Sequence, residues 1–412
     1  MKIAFISYEY PPDTAYGGIA TYIHQAARMM YQRGHHVEVF TSSSNRCATE
    51  NEDGIVTHRI DENDRQIFPE RIGKIFAERH RAVEFDVIEG PELSGDAREA
   101  VRLFPDIPLV VKLHTPSFFI YQLNGYGVPF LTKVRREIGA IRRGLSDRRY
   151  WFYNPKNDIE CSHTLDADDI TTPCKDLGNR AIEAWGLDAE KVSLVPNPYT
   201  PMEKILKIST DTQTNIVTYI GRLEIRKGIL DLARAIPLIL QQKPNTKFRL
   251  VGRPDMSPKA GFSDMRKYLE HKLRDYTQSI EFTGAVPPDG IPSVLANTDI
   301  CVFPSLWENF PNVCLEAMAA ARGVIGSSAG GMAEMLDNGK VGRLVPPRSP
   351  QKIAAAAIEL LENPALRISL GQAARDRLLS EYNLDRIGTL QEASYSRAIA
   401  RRRSIGSRHI SA

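Results

Sequence analysis

From its first residues onward the chain alternates short, almost continuously apolar runs with helical patterns. "KIAFISY", "HVEVFTS", "FDVIEG", "PLVVKLHT", "DDITTP" and "KVSLVPN" recur through the first 200 residues. After a polar stretch the series restarts as "NIVTYIGR", "TKFRLVG", "IEFTG", "DICVFPS", "GVIGSS" and "GRLVPP". A sheet with one wet face would show apolar and polar residues in strict alternation. Runs this continuous need helices on both faces, which means parallel sheets in an α/β chain. At 412 residues the chain is too long for one ordinary core, so two domains are expected. The unpatterned stretch 200–214 reads as the linker between them. The expectation is two Rossmann-like, doubly wound domains over 1–200 and 201–385. A C-terminal helix with a frayed basic tail, 386–412, would pack back on the first. In such sheets ligands bind at the C-terminal ends of strands, so the residues just after each strand carry the search for a site.

Several classes drop out early. The five cysteines (47, 161, 174, 301 and 314) show no CxxC or Cys/His spacing, which reads as reduced, cytosolic and without a metal. No run reaches the length of a membrane span, and the first apolar run is too short for a signal peptide. A net charge of +3 gives no argument for nucleic acid. The dinucleotide fingerprint GxGxxG is missing, which argues against a nicotinamide dehydrogenase.

The strand-end residues offer four candidate clusters. In "SLWENFPNVCLEAMAAARG" Glu308 falls in the loop after "DICVFPS", Pro311 suits the start of a helix, and Gly323 is placed to end it. Glu316 then lies within that helix among small apolar neighbours. A carboxylate there needs a matched partner, either an internal Lys or Arg or a ligand diol. In "YIGRLEIRKGIL" Arg222 and Lys227 follow a strand and precede a helix. That makes an anion site suited to a diphosphate, or a solvated loop with Glu224 as partner. Gly17 and Gly18 follow the first strand and let backbone approach a ligand, although an ordinary strand–helix turn reads the same way. His114 ends "PLVVKLH", where it can serve a sugar hydroxyl, a reacting centre or the core. Glu89 and Glu92 stand similarly with weaker support. "LDADD" at 165–169 reads as a solvated helix–strand junction rather than a metal site. Leu131, Val134, Ile138, Ile141 and Leu145, interleaved with basic residues, form an amphipathic pattern over 131–149. It can touch an anionic membrane surface or form the wet outer face of a domain helix.

Taken together and in this order, Gly17-Gly18, His114, "GRLEIRKG", Glu308-x7-Glu316 and "SSAGGMAEML" resemble the retaining glycosyltransferases of family 4. The resemblance implies the GT-B fold, two Rossmann-like domains facing a deep cleft. It implies a nucleotide-sugar donor and a hydroxyl acceptor whose identity the sequence does not give. Glu316 would bind the ribose, Glu308 the transferred sugar, and the amides around Phe310, Asn312 and Val313 the sugar and phosphate. Arg222 and Lys227 would neutralise the diphosphate, with neither metal nor other cofactor, and His114 would orient the sugar. The protein would be cytoplasmic, with peripheral contact to the inner membrane face through 131–149. Two other readings share these features. One is a non-hydrolysing nucleotide-sugar epimerase. The other is a catalytically silent nucleotide-sugar-binding partner subunit. Asn309 stands where many family members have glycine.

Overall fold

The computed structural model describes residues 1–14, 17–125, 134, 138, 153–257, 259 and 261–410, with the side chains of 124, 125 and 405–410 left out. Apart from Val134 and Ile138, the basic pattern 131–149 lies outside the described residues. The chain divides into two compact units, Met1–Pro198 with Leu384–Ala412, and Tyr199–Asn383.

The first unit holds β1 (Lys2–Ser7), β2 (His36–Ser43), β3 (Ala48–Glu52), β4 (Ile55–Asp61), β5 (Val87–Pro91), β6 (Leu109–Lys112), β7 (Asp169–Thr172) and β8 (Val192–Leu194). They form one sheet in the order β3-β4-β2-β1-β5-β6-β7-β8. β5, β6 and β7 are buried along their whole length, as a strand covered on both faces must be. The exception is β3, which runs antiparallel to β4 at the sheet edge. Its turn, Asp53-Gly54, has both residues at positive φ (53° and 89°). That is the primed-turn geometry whose twist matches a hairpin. The apolar-run reading does not find this hairpin, because "ATENE" offers only charged and small residues to the edge.

The helix Leu384–Ile410 belongs to this unit and is pinned along its length. Arg33 pairs with Asp385 and Glu392. Tyr395 Oη and Gln391 Nε2 donate to the buried Glu89 carboxylate at 2.6 and 2.8 Å. Arg397 and Arg401 converge on Asp169, and Arg402 reaches Asp168. Two expectations are corrected here. "LDADD" is not a solvated junction, since Asp168 and Asp169 are buried. The basic tail is not frayed through Arg402, because those buried carboxylates need its guanidinium groups.

The second unit holds β9 (Ile216–Ile220), β10 (Lys247–Val251), β11 (Ile280–Gly284), β12 (Ile300–Phe303), β13 (Gly323–Ser327) and β14 (Arg343–Val345). All pairings are parallel, in the order β11-β10-β9-β12-β13-β14. Its core packs the helices Ile229–Gln242 and Pro350–Glu362 on one face. On the other lie Asn312–Ala319, Gly331–Met335 and Ile291–Ala296. The stretch read as a linker is partly structural. Ile205, in the short helix Glu203–Leu206, is fully buried, and the carbonyls of Ser209 and Thr212 accept from the buried Arg322 and Arg367.

Candidate active site

Strand order in the second unit reverses direction between β9 and β12, the switch point where open α/β sheets leave a crevice. The loop after β9 carries Arg222 and Lys227, and the loop after β12 carries Glu308. Topology alone therefore brings these three candidates together. Gly228 makes the approach feasible. It starts the helix Ile229–Gln242 at φ 74°, and a Cβ there would lie 1.9 Å from the Pro304 carbonyl oxygen. Only glycine fits at this contact between the two loops. The loops are also tied by Leu306 N–H, which donates to the Arg226 carbonyl at 2.8 Å.

Lys227 Nζ donates to Glu308 Oε2, and Ser305 Oγ donates to the same oxygen at 3.3 Å. Burial alone would raise the Glu308 carboxyl. Lys227 and Arg226 more than offset it, so the group is held below its ordinary value and is ionised. Behind it, the Glu308 carbonyl accepts the Gly331 amide at 2.9 Å. Gly330 adopts φ 83° where a Cβ would fall 2.1 Å from that carbonyl oxygen. This gives Gly330, the first glycine of the pair in "SSAGGMAEML", a physical reason. Arg222 is mostly exposed (61%) and pairs with Glu224 at 3.2 Å. Arg226 escaped the sequence reading. It is the third cation of "GRLEIRKG" and pairs with Glu224 at 2.9 Å. Two charged positions flanking Ile225 in so short a loop were the available signal.

Glu316 differs in every respect. Pro311, with φ −75° and ψ 120°, caps the helix Asn312–Ala319 and places Glu316 as its fifth residue. Gly323 does not end that helix, contrary to expectation. The chain turns at Ala320 and Ala321, and Gly323 opens β13. Among the described residues no donor or cation reaches the Glu316 carboxylate. The nearest basic residue in sequence, Arg322, is spent on the carbonyls of Ala320, Thr298 and Ser209. That removes Arg322 as the internal partner. Burial, with no compensating charge, raises Glu316 to about 7. Within the same helix turn, among the described residues, the amides of Phe310, Asn312 and Val313 have no acceptor in the chain, whereas those of Cys314 and Leu315 return to Pro311. An N-terminus with free amides beside an uncompensated carboxylate can take a ligand that carries both an anion and hydroxyl donors.

The remaining candidates are in the first unit. His114 follows β6 and is buried, and its amide donates to both oxygens of Glu92 at 2.9 Å. Its ring meets Tyr22 edge-on at 5.2 Å. Burial, then Lys112 and Arg65, push its pKa down to about 3. The imidazole is therefore neutral at physiological pH, suited to hydrogen bonding rather than to giving up a proton. Glu92 is pushed up to about 8 by burial and by Glu160, so it is a protonated structural acid at pH 7. Glu89 anchors the C-terminal helix as described above. Gly17 caps the helix Gly18–Gln32 in extended conformation, and a Cβ on Gly18 would meet open space. Neither glycine is demanded by local sterics. Among the described residues no cluster of His, Cys, Asp or Glu is arranged to hold a metal, and no helix is long and apolar enough to cross a membrane.

Known proteins resemble this chain over most of its length. Residues 16–201 match the profile of Glycosyltransferase Family 4, and residues 214–363 that of Glycosyl transferases group 1. An uncharacterised glycosyltransferase of Methanocaldococcus jannaschii is 24% identical over 94% of this chain and 96% of its own. Among solved structures, the sucrose-phosphate synthase of Thermosynechococcus elongatus superposes with a TM-score of 0.73 at 20% identity, covering 97% of this chain and 100% of its own. The Anabaena protein HepE in complex with UDP gives a TM-score of 0.66 at 18% identity, over 96% of this chain and 100% of its own.

Proposed function

Because the chain belongs to the group 1, family 4 glycosyltransferases and has their two-domain GT-B fold, we propose that it moves a sugar from a nucleotide-sugar donor to a hydroxyl acceptor. Anomeric configuration is retained, and no metal is used. The observation that carries the donor assignment is Glu316, a carboxylate in an apolar helix with no partner among the described residues. A ribose diol supplies the two donors it lacks. Arg222 and Lys227 supply positive charge where the diphosphate leaves, and the negative charge on the diphosphate grows as the glycosidic bond breaks. The stabilisation is therefore larger in the transition state than in the ground state. This is the work a divalent cation does elsewhere, which favours a metal-independent route. The Anabaena protein HepE in complex with UDP supports a nucleoside diphosphate as the bound group.

Glu308, held ionised, would accept from hydroxyls of the transferred sugar. The neutral His114 would orient that sugar from the first unit. With Glu308 engaged by Lys227, no free carboxylate stands ready in that loop as a nucleophile. We therefore favour a front-face route in which the leaving phosphate takes the acceptor proton. A trapped glycosyl–carboxylate adduct would overturn this part.

The donor test is a thermal-shift panel of UDP, GDP, ADP and their sugars. A ligand that binds only the folded state at 100 times its Kd stabilises by about 2.7 kcal/mol, a clear displacement of the melting curve. Stabilisation by one nucleoside diphosphate series, with a smaller shift from the free nucleoside at equal concentration, is expected. No shift with any nucleotide would refute the donor assignment.

A further inference from the structure

The loop after β9 holds a cation that the proposed donor contacts do not use. Arg226 is 14% exposed, and its two terminal nitrogens point at different carboxylates. Nη2 donates to Glu224 at 2.9 Å, and Nη1 lies 3.9 Å from Glu308 Oε1. Lys227 holds the other Glu308 oxygen, Oε2. Glu224 in turn takes Arg222 at 3.2 Å. The result is an unbroken line of alternating charge: Arg222, Glu224, Arg226, Glu308, Lys227. Its register is set by backbone, since the Arg226 carbonyl accepts the Leu306 amide.

Lys227 cannot serve Glu308 fully and also neutralise a diphosphate. When the anion draws Nζ away, Glu308 is left as a buried carboxylate with one weak donor, Ser305. That state is costly unless another cation stands by. Among the described residues the other titratable groups facing Glu308 are Tyr219 from β9 and Cys314 from the following helix, and neither is a cation. Arg226 is already at ion-pair distance from the opposite oxygen, and Glu224 fixes its far side.

We propose that Arg226 is a positioning residue that takes over as the counter-ion of Glu308 when the donor diphosphate claims Lys227. It keeps Glu308 ionised and aimed at the transferred sugar without touching the phosphate. Donor binding thus exchanges one ion pair for another within a preset line, rather than creating an unpaired charge. The inference rests on the donor-site reading above.

The test compares Arg226→Gln, Arg226→Lys, Arg222→Ala, Lys227→Ala and the double variant Arg226→Gln with Lys227→Ala in the full chain. The probes are the nucleoside diphosphate and the nucleotide sugar that stabilise the protein most. For Arg226→Gln we expect the diphosphate Kd to rise severalfold in a chain that keeps Lys227, but to change by less than about threefold when the substitution is added to Lys227→Ala, where no ion pair is exchanged, while donor turnover falls about 10- to 100-fold, the scale set by a misplaced reacting group. The acid limb of kcat should move up by about one pH unit, because Glu308 loses a nearby cation and protonates more readily. Arg226→Lys keeps the charge and guards against misfolding as the cause. It should return the limb to its wild-type position. If Arg226→Gln weakens the diphosphate as much in the Lys227→Ala background as it does alone, Arg226 is a phosphate ligand and the inference falls. If turnover drops with no movement of the limb, Arg226 only fills space, and the inference falls as well. If Arg222→Ala and Lys227→Ala both leave diphosphate affinity intact, the donor-site reading fails and takes this inference with it.

Discussion

Replacing Glu316 by Gln should make the ligand-free protein more stable at alkaline pH while removing a donor contact. The carboxyl is raised from 4.5 to about 7 by burial alone. Between those two pH values the folded chain retains a proton that the unfolded chain has released. Stability therefore falls as pH rises through this window and stays lower above it. A displacement of this size is worth about 3 kcal/mol as a ceiling. The amide in Gln also has donors and an acceptor to satisfy, and leaving them unmet takes back about 1–2 kcal/mol. A net gain of about 1–2 kcal/mol is expected at pH 8.5. In a unit of this size that raises Tm by about 2–8 °C. At pH 5 the wild-type carboxyl is itself neutral, so the gain should disappear. The assay is thermal unfolding of wild type and variant at pH 5 and 8.5 without ligand, followed by nucleoside diphosphate titration. The reasoning is refuted if the variant is less stable at pH 8.5 than at pH 5 relative to wild type, since that would reveal an internal partner for Glu316. Stabilisation together with full retention of nucleotide affinity would instead refute the ribose assignment.

The other predictions concern charge and close contact. Arg222→Ala and Lys227→Ala should each weaken nucleoside diphosphate binding by about 1.5–3 kcal/mol, the value of a hydrogen bond to a charged group, with little change for the free nucleoside; calorimetric titration reads both. Gly228→Ala places a Cβ 1.9 Å from the Pro304 oxygen at φ 74°. It should separate the two loops, cost about 1–3 kcal/mol of stability and abolish diphosphate binding, as followed by urea unfolding and titration. Asp169→Asn strands Arg397 and Arg401 beside a neutral group. It should destabilise the first unit by about 3–5 kcal/mol and expose the C-terminal helix to limited proteolysis, while nucleotide affinity in the second unit stays unchanged.

The parallel sheets were legible because strands covered on both faces have no room for polar alternation, and "VVKL" or "ICVF" can hardly be anything else. The β3–β4 hairpin was not, because "ATENE" lies at an edge where solvent accepts any residue; only Asp53-Gly54 betrayed it. The roles of Asp168 and Asp169 were hidden for another reason. Their partners, Arg397, Arg401 and Arg402, lie more than 220 positions away, beyond any local pattern. Glu308 shows the same limit inside the site. Its spacing from Glu316 is visible in the sequence, but its partner Lys227 is 81 positions earlier and meets it only because β9 and β12 are neighbours.

The two glutamates, alike in the motif, are physical opposites in the fold. Glu308 is an ionised group already satisfied by cations, so a ligand there must compete for Lys227. Glu316 is an unsatisfied group whose charge burial disfavours, so a ligand there has only to supply donors. A nucleotide-sugar donor would meet both demands at once, with anion at one end and hydroxyls at the other. Either half of it alone should bind less well than the sum suggests. A diphosphate without ribose must break the Lys227–Glu308 pair with nothing gained at Glu316. A nucleoside without phosphate relieves Glu316 but leaves Arg222 and Lys227 unclaimed. The asymmetry also gives their pH responses opposite causes. Protonation of Glu316 near neutrality weakens the ribose side first, whereas Glu308, held low by Lys227 and Arg226, keeps its charge into more acidic solution.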